Sequence, residues 1–247
     1  MSTIEILEKC TIEGNIVKLP NIQLERSSYM EVKKKLEGIG GKWKGGKTSG
    51  FAFPSCPKQL LSSIQGGEKI NLKKDFQFFA TPDDLCDRLV ELARVHHKHL
   101  VLEPSAGRGA IVKAIHRAHN RMKVFCYELM DQNTIELLKI GTGSLTILGN
   151  DFLENKNDYL FDRIIANPPF AKNQDIDHVM HMYKHLKNGG RLVSIMGKGW
   201  TFREGKKEKE FRSFVENVSA VVQDVEKGAF KSSGTMVETV IVIIDKI

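Results

Sequence analysis

A short apolar run, Ile164-Ile165-Ala166, leads directly into Asn167-Pro168-Pro169-Phe170. Prolines fix φ and restrict the residue before them, so this strand end is rigid and extended. Asn167 and the Pro168 carbonyl offer hydrogen-bond acceptors, and Phe170 offers a flat ring. Alone, the tetrapeptide reads equally as a proline-rich loop closing a core strand. Three further segments change that balance. Val101-Leu102-Glu103 runs into Pro104, Ser105, Ala106, Gly107, Arg108 and Gly109, a small-residue loop that opens a helix. Glycines let backbone approach a ligand, and a helix N-terminus adds N–H donors. A single Gly-x-Gly pair is weak by itself. The next strand ends at Glu128, 21 residues after Gly107, and an acid about 20 residues on suits ribose hydroxyls. The third strand ends in Asn150-Asp151-Phe152, an acid and an aromatic where an adenine ring would lie. Each acid alone is more simply a solvated loop residue. The ordered set of four strand ends is what points to a nucleotide-like ligand.

The elements that must hold these residues alternate in type. Helical patterns cover 83–95, 109–120, 131–140, 176–187 and 208–217. Strand patterns cover 99–103, 123–128, 146–150, 163–166, 191–196, 220–225 and 237–244. Alternation of this kind predicts a mostly parallel sheet with helices on both faces. No helix separates the last two strands, so they should form an antiparallel pair at one edge. Residues 1–70 read as a separate small basic α+β module and 71–247 as the larger domain. In the module, Ser28 and Glu31 have capping-box spacing for a helix that Gly38 ends. Trp43 and Phe51-Ala52-Phe53 flank a Gly/Lys/Ser turn that reads as a hairpin, with Trp43 expected in the core.

Composition narrows the class. The chain has 247 residues, 41% of them hydrophobic, and a formal charge of +7. That excludes disordered and fibrous classes and allows a substantial core without staples. The longest apolar run is Val240–Ile244, five residues, far short of a membrane span. The acidic start MSTIEILEKC is no signal peptide. A soluble, cytoplasmic protein is expected. Cys10, Cys56, Cys86 and Cys126 form no Cys-x-x-Cys pair, so free thiols and no metal site are expected. His96, His97 and His99 lack ligand partners at the right spacing and read as solvated side chains.

The four landmarks, with Phe79-Ala80-Thr81-Pro82 placed before them, resemble class I S-adenosylmethionine-dependent DNA methyltransferases that modify the adenine N6 amino group. The motif order is similar to the gamma type, in a short phage- or prophage-like form. The resemblance covers about residues 75–247, and Gly228-Ala229-Phe230 through Gly234-Thr235 is similar to the family's closing hairpin. It implies a Rossmann-like seven-stranded methyltransferase sheet and S-adenosylmethionine as cofactor. It further implies catalysis by Asn167, Pro168, Pro169 and Phe170. Thr81 and Pro82 would line the methionine side, and Glu103 to Gly109 the amino-acid end. Glu128 would hold the ribose, Asp151 the adenine amino group and Phe152 its ring, with Leu129 also among the cofactor-binding residues. The same signature serves methyltransferases acting on RNA bases or glutamine amides, and a non-catalytic nucleic-acid-binding protein is a further alternative.

DNA is the expected partner, with RNA as the alternative. Lys42, Lys44, Lys198, Trp200, Arg203, Lys206 and Lys207 are the candidate contacts. The chain ends after the last expected strand, so sequence specificity is expected to be loose, or to come from the N-terminal module or a partner protein. Residues 1–70 hold eleven Lys/Arg against seven Asp/Glu, more than half of the excess charge.

Overall fold

A computed structural model gives the fold and describes residues 1–53, 56–67, 80–120, 122–141, 143–233 and 235–247. The expected boundary at residue 70, Phe79 and Gly234 lie outside the described residues. The chain divides into two compact units, Met1–Phe78 and Phe79–Ile247.

The first unit begins with α1 (Thr3–Glu8). Its capping box is Ser2 and Glu5: each side chain accepts from the other's backbone N–H, satisfying two helix-end donors. The box expected at Ser28 and Glu31 is absent, because α2 (Arg26–Gly38) starts three residues earlier than a helix capped by Ser28 and holds Ser28 in its first turn. Strands β1 (Thr11–Glu13), β2 (Ile16–Lys18), β3 (Lys42–Lys44) and β4 (Gly50–Ala52) form an antiparallel sheet in the order β1-β2-β4-β3. The hairpin is as expected, with Trp43 opposite Phe51. With α3 (Lys58–Gln65), the unit buries Ile6, Leu7, Val17, Val32, Leu36 and Phe51. Trp43 is not in that core. It lies on an edge strand and is 44% exposed.

The second unit carries α4 (Asp83–Ala93), β5 (Val101–Glu103), α5 (Ala110–Ala118), β6 (Val124–Tyr127), α6 (Asp131–Leu138), β7 (Leu145–Gly149) and β8 (Phe161–Ala166). There follow α7 (Gln174–Lys184), β9 (Leu186–Gly197), α8 (Lys206–Asn217), β10 (Val221–Asp224) and β11 (Thr239–Asp245). The seven strands run β10-β11-β9-β8-β5-β6-β7. Strands β5 to β9 are parallel, whereas β11 is antiparallel to β9 and to β10. The order turns back between β5 and β8, which are neighbours though β6 and β7 intervene in sequence. Open α/β sheets place ligands at the carboxyl ends of strands at such a point.

The apolar run of β11 shows why the strands are hydrophobic throughout. Ile241 and Ile243 join one core cluster, and Val240, Val242 and Ile244 join the other. Alternate side chains point to opposite faces, and both faces are covered. One boundary differs from expectation. Asn188-Gly189-Gly190 does not close α7, which already ends at Lys184. Gly189 adopts φ +75° within β9, where the pairing to β8 shifts register. A left-handed glycine there takes up the irregularity.

Candidate active site

Ile164, Ile165 and Ala166 are fully buried and fix β8 in the middle of the sheet. The chain leaves that strand at Asn167, with Pro168 buried and Asn167, Pro169 and Phe170 half-buried. The Asn167 Nδ2 donates to Thr81 Oγ1 at 2.9 Å. Thr81 is itself 8% exposed. The Ser233 hydroxyl donates to the Ala80 carbonyl. The Thr-Pro element is therefore tied both to the Asn-Pro-Pro-Phe strand end and to the turn before β11. Its proximity to Asn167 was not legible in the spacing.

Beyond Phe170 a short 3-10 turn, Ala171–Asn173, contains Lys172 and Asn173 at φ 55° and 58°. Left-handed backbone is readily adopted by asparagine but costly for a lysine, and persists there where surroundings hold it. Asn173 Nδ2 donates to Glu208 Oε1 at 2.8 Å, and Asp175 Oδ2 accepts from the Gly197 amide at 3.0 Å. Gly197 ends β9 beside Phe170: a Cβ there would lie 3.6 Å from the Phe170 Cβ. Asp175 is 3% exposed. Burial raises it to about 6, against the lowering bonds from the Gly197 and Ile176 amides and the Lys207 charge.

The loop after β5 differs from the expectation of free amides. The Ala106 amide donates to Tyr127 O, that of Gly107 to Glu128 Oε2 at 2.7 Å, and that of Gly109 to Ala106 O. These three donors are already engaged within the protein. Gly109, at φ +76°, is required for packing: a Cβ would meet Ile140 Cδ1 at 2.3 Å and Leu137 Cδ2 at 3.0 Å. What the loop does offer is two buried polar atoms without a hydrogen-bond partner among the described residues, Glu103 Oε2 and Ser105 Oγ. Burial pushes Glu103 well above the usual carboxylate range, and the Glu128 charge adds to it. An ammonium group placed there would satisfy both atoms and favour the ionised carboxylate.

Glu128 is also buried. Its Oε1 accepts from the Met130 amide and from Asn133 Nδ2, at 2.8 and 3.1 Å. Burial raises its pKa, and the bonds from Met130, Asn133 and Gly107 pull it back. With two donors on Oε1 and one on Oε2, a ribose hydroxyl has room on Oε2 alone. Leu129 beside it is 53% exposed. Asp151 is half-buried and accepts from the Leu153 amide at 2.8 Å. Phe152, expected beside the adenine ring, follows Asp151. Its ring is 2% exposed and packs among Tyr127, His178, His181 and His185. The helical face shared by His178 and His181 closes over that ring. The orphaned Glu103 and Ser105 atoms, with the open position on Glu128, fit an adenosine-bearing amino acid.

The basic stretch after β9 is largely compensated. Lys198 pairs with Asp224 at 2.6 Å, Lys206 with Glu210 at 3.9 Å and Lys207 with Asp177. Trp200 is not available as a surface contact: it is 4% exposed, edge-on to Phe211 at 4.9 Å. Arg203 is exposed, and Arg212 Nη1 donates to the Trp200 and Arg203 carbonyls, holding this loop. Phe202, not singled out in sequence, is 65% exposed. The cysteines are all free, with Cys86 and Cys126 buried. Among the described residues, no three His, Cys, Asp or Glu side chains are grouped to hold a metal. None of the described helices is long and apolar enough to cross a membrane.

The strand order and the two loops at its switch point define a class I methyltransferase fold. The chain belongs to the methyltransferase small domain family, whose model matches residues 80–226. S-adenosylmethionine is the methyl donor of this family. The type II methyltransferase M.CvrRI of Paramecium bursaria Chlorella virus XZ-6E is 25% identical over 153 residues. That match spans 54% of this chain and 40% of the viral protein, less than half its length. Among solved structures, the type I restriction enzyme EcoKI M protein has a TM-score of 0.54 and 15% identity, over 91% of this chain and 55% of that one. The 23S rRNA methyltransferase ErmE has a TM-score of 0.52 and 15% identity, over 69% and 70%. TrmN from Thermus thermophilus has a TM-score of 0.51 and 18% identity, over 67% and 49%. At these identities the likeness is one of fold.

Proposed function

We propose that the protein transfers a methyl group from S-adenosylmethionine to the N6 amino group of adenine in DNA. The observation that carries this reading is the Asn167 side chain, oriented by its bond to Thr81 at the head of the Asn-Pro-Pro-Phe segment. An aromatic amino group is a poor nucleophile because its lone pair is delocalised into the ring. Two acceptors on its N–H bonds favour a more tetrahedral nitrogen. Asn167 Oδ1 and the Pro168 carbonyl are those acceptors, acting by position and electrostatics. Donation from Nδ2 to Thr81 makes Oδ1 the accepting end of the amide. Phe170 supports the extruded base by stacking, and extrusion is needed because the amino group is otherwise paired. Bound S-adenosylmethionine supplies a methyl group already activated by its sulfonium. Glu103 and Ser105 would hold its amino-acid end, Glu128 its ribose and Asp151 its adenine. Neither acceptor is a strong base, and the surplus proton leaves the held nitrogen for water.

The similarity to a type II methyltransferase supports a DNA substrate. The test supplies labelled S-adenosylmethionine with duplex DNA, single-stranded DNA, RNA and protein in parallel, then digests the product to nucleosides. Label is expected in N6-methyldeoxyadenosine, and Asn167→Ala is expected to remove transfer while cofactor binding persists. Label in RNA or in glutamine, with none in DNA, would overturn the reading.

A further inference from the structure

The lysines of the two basic stretches differ in one respect. Lys198, Lys206 and Lys207 have acidic partners. Lys42, Lys44 and Lys47 are exposed, and no ion pair involves them among the described residues. The sequence around them holds no Asp or Glu between Glu37 and Glu68. Their charge is therefore uncompensated locally, as a polyanion requires.

Between two of these lysines stands Trp43. Its ring meets Phe51 edge-on, with centroids 5.1 Å apart and planes at 69°. That contact braces the indole, and 44% of the residue stays exposed. Even a Cβ at position 45 would only reach ordinary contact with the indole Nε1, at 4.0 Å, so this side of the ring is not crowded by the neighbouring turn. β3 is the outermost strand of its sheet. Alternate residues point to opposite faces, so Trp43 lies to one side of that edge and Lys42 and Lys44 to the other. Lysines alone on an edge strand would serve to block unwanted strand pairing. A half-exposed indole works against that purpose, whereas lysines and an aromatic ring together match a chain of phosphates and accessible bases.

We propose that the β3 edge of the first unit binds single-stranded DNA, with Trp43 stacking on a base and Lys42, Lys44 and Lys47 meeting phosphates. A single strand is required because the bases of a duplex already stack on one another. The choice of DNA rests on the function proposed above.

The chain has two tryptophans, and Trp200 is buried, so quenching by a stacked base reports on Trp43. The full chain is titrated with an oligodeoxythymidine, which contains no adenine and so does not engage the proposed catalytic site. Quenching is expected, weakening as salt rises. By anisotropy of a labelled strand, Trp43→Ala is expected to weaken binding about tenfold or more. Trp43→Phe, which keeps a ring against Phe51, should retain binding and lose the quenching, leaving the emission of Trp200. Replacing Lys42, Lys44 and Lys47 by Gln should reduce the salt slope by about two. Absent quenching, unchanged affinity in Trp43→Ala, or equal quenching by duplex DNA would overturn the proposal. Tighter binding of an oligouridine would reassign the surface to RNA. Methyl transfer to adenine-containing DNA is scored separately, so failure of the catalytic reading leaves this binding result intact, and the reverse.

Discussion

The Asn167 side-chain amide donates to the Thr81 hydroxyl at 2.9 Å across 86 residues of sequence. The bond links the end of β8 to the segment that leads into α4. It converts a polar side chain on a rigid strand end into one with a defined accepting face.

Thr81→Val removes that hydroxyl and with it the bond that orients the Asn167 amide. The expected result is a fall in kcat of about ten- to hundredfold, since misorientation of a positioning group costs that order. Cofactor affinity by calorimetry should stay within about twofold, and Thr81→Ser should recover activity. A loss confined to cofactor affinity would instead assign Thr81 to the methionine side of the cofactor.

Glu128 accepts from two backbone amides and from Asn133. Glu128→Ala leaves those buried donors unmatched, each at about 1–3 kcal/mol. Both a lower melting temperature and at least tenfold weaker cofactor binding are expected. Wild-type affinity in a folded Glu128→Ala protein would remove it from the cofactor site.

Gly109→Ala adds a Cβ into Ile140 and Leu137 at a left-handed φ. The backbone and packing costs together should destabilise the protein by about 2–5 kcal/mol, measured by urea unfolding. Val112, also within contact distance of that Cβ, sits far enough away to be unaffected.

Asp175 gives a pH dependence with a defined sign. Its pKa rises from 3.8 to about 6 on folding, because burial disfavours the charge. The folded protein binds this proton more tightly, so the stabilisation is full below about pH 4 and is lost as pH rises through 6. At roughly 1.4 kcal/mol per pH unit, about 3 kcal/mol is lost across that window. His178 acts oppositely: burial lowers it to about 4, so its stabilisation is present above 6.5 and lost as pH falls through 4. The wild-type profile sums both. The difference in unfolding free energy between wild type and Asp175→Asn isolates the carboxylate, and should favour the variant increasingly from pH 4 to 7. A pH-independent difference would show that Asp175 does not titrate there.

Much of the fold is legible locally. Strand and helix periods, proline stiffness and the glycine after β5 are properties of neighbouring residues, so alternation alone yields the parallel sheet and its antiparallel end. The strand-end landmarks Glu103, Glu128, Asp151 and Asn167 follow from the same local logic, because each sits where an apolar run stops. Burial of single aromatic rings is different. Trp43 and Trp200 both stand in lysine-rich stretches, yet one lies on a sheet edge and the other against Phe211. Phe152 turns inward, where His178 and His181 of α7 and His185 just after it close over the ring. The partners of Lys198 and Lys207 come from other elements, and so does the Thr81 that orients Asn167. The sequence alone determined the elements and the order of chemical groups along them. Which rings face solvent, which charges are compensated and which end of an amide accepts depend on contacts between distant residues, and only the tertiary structure decides those.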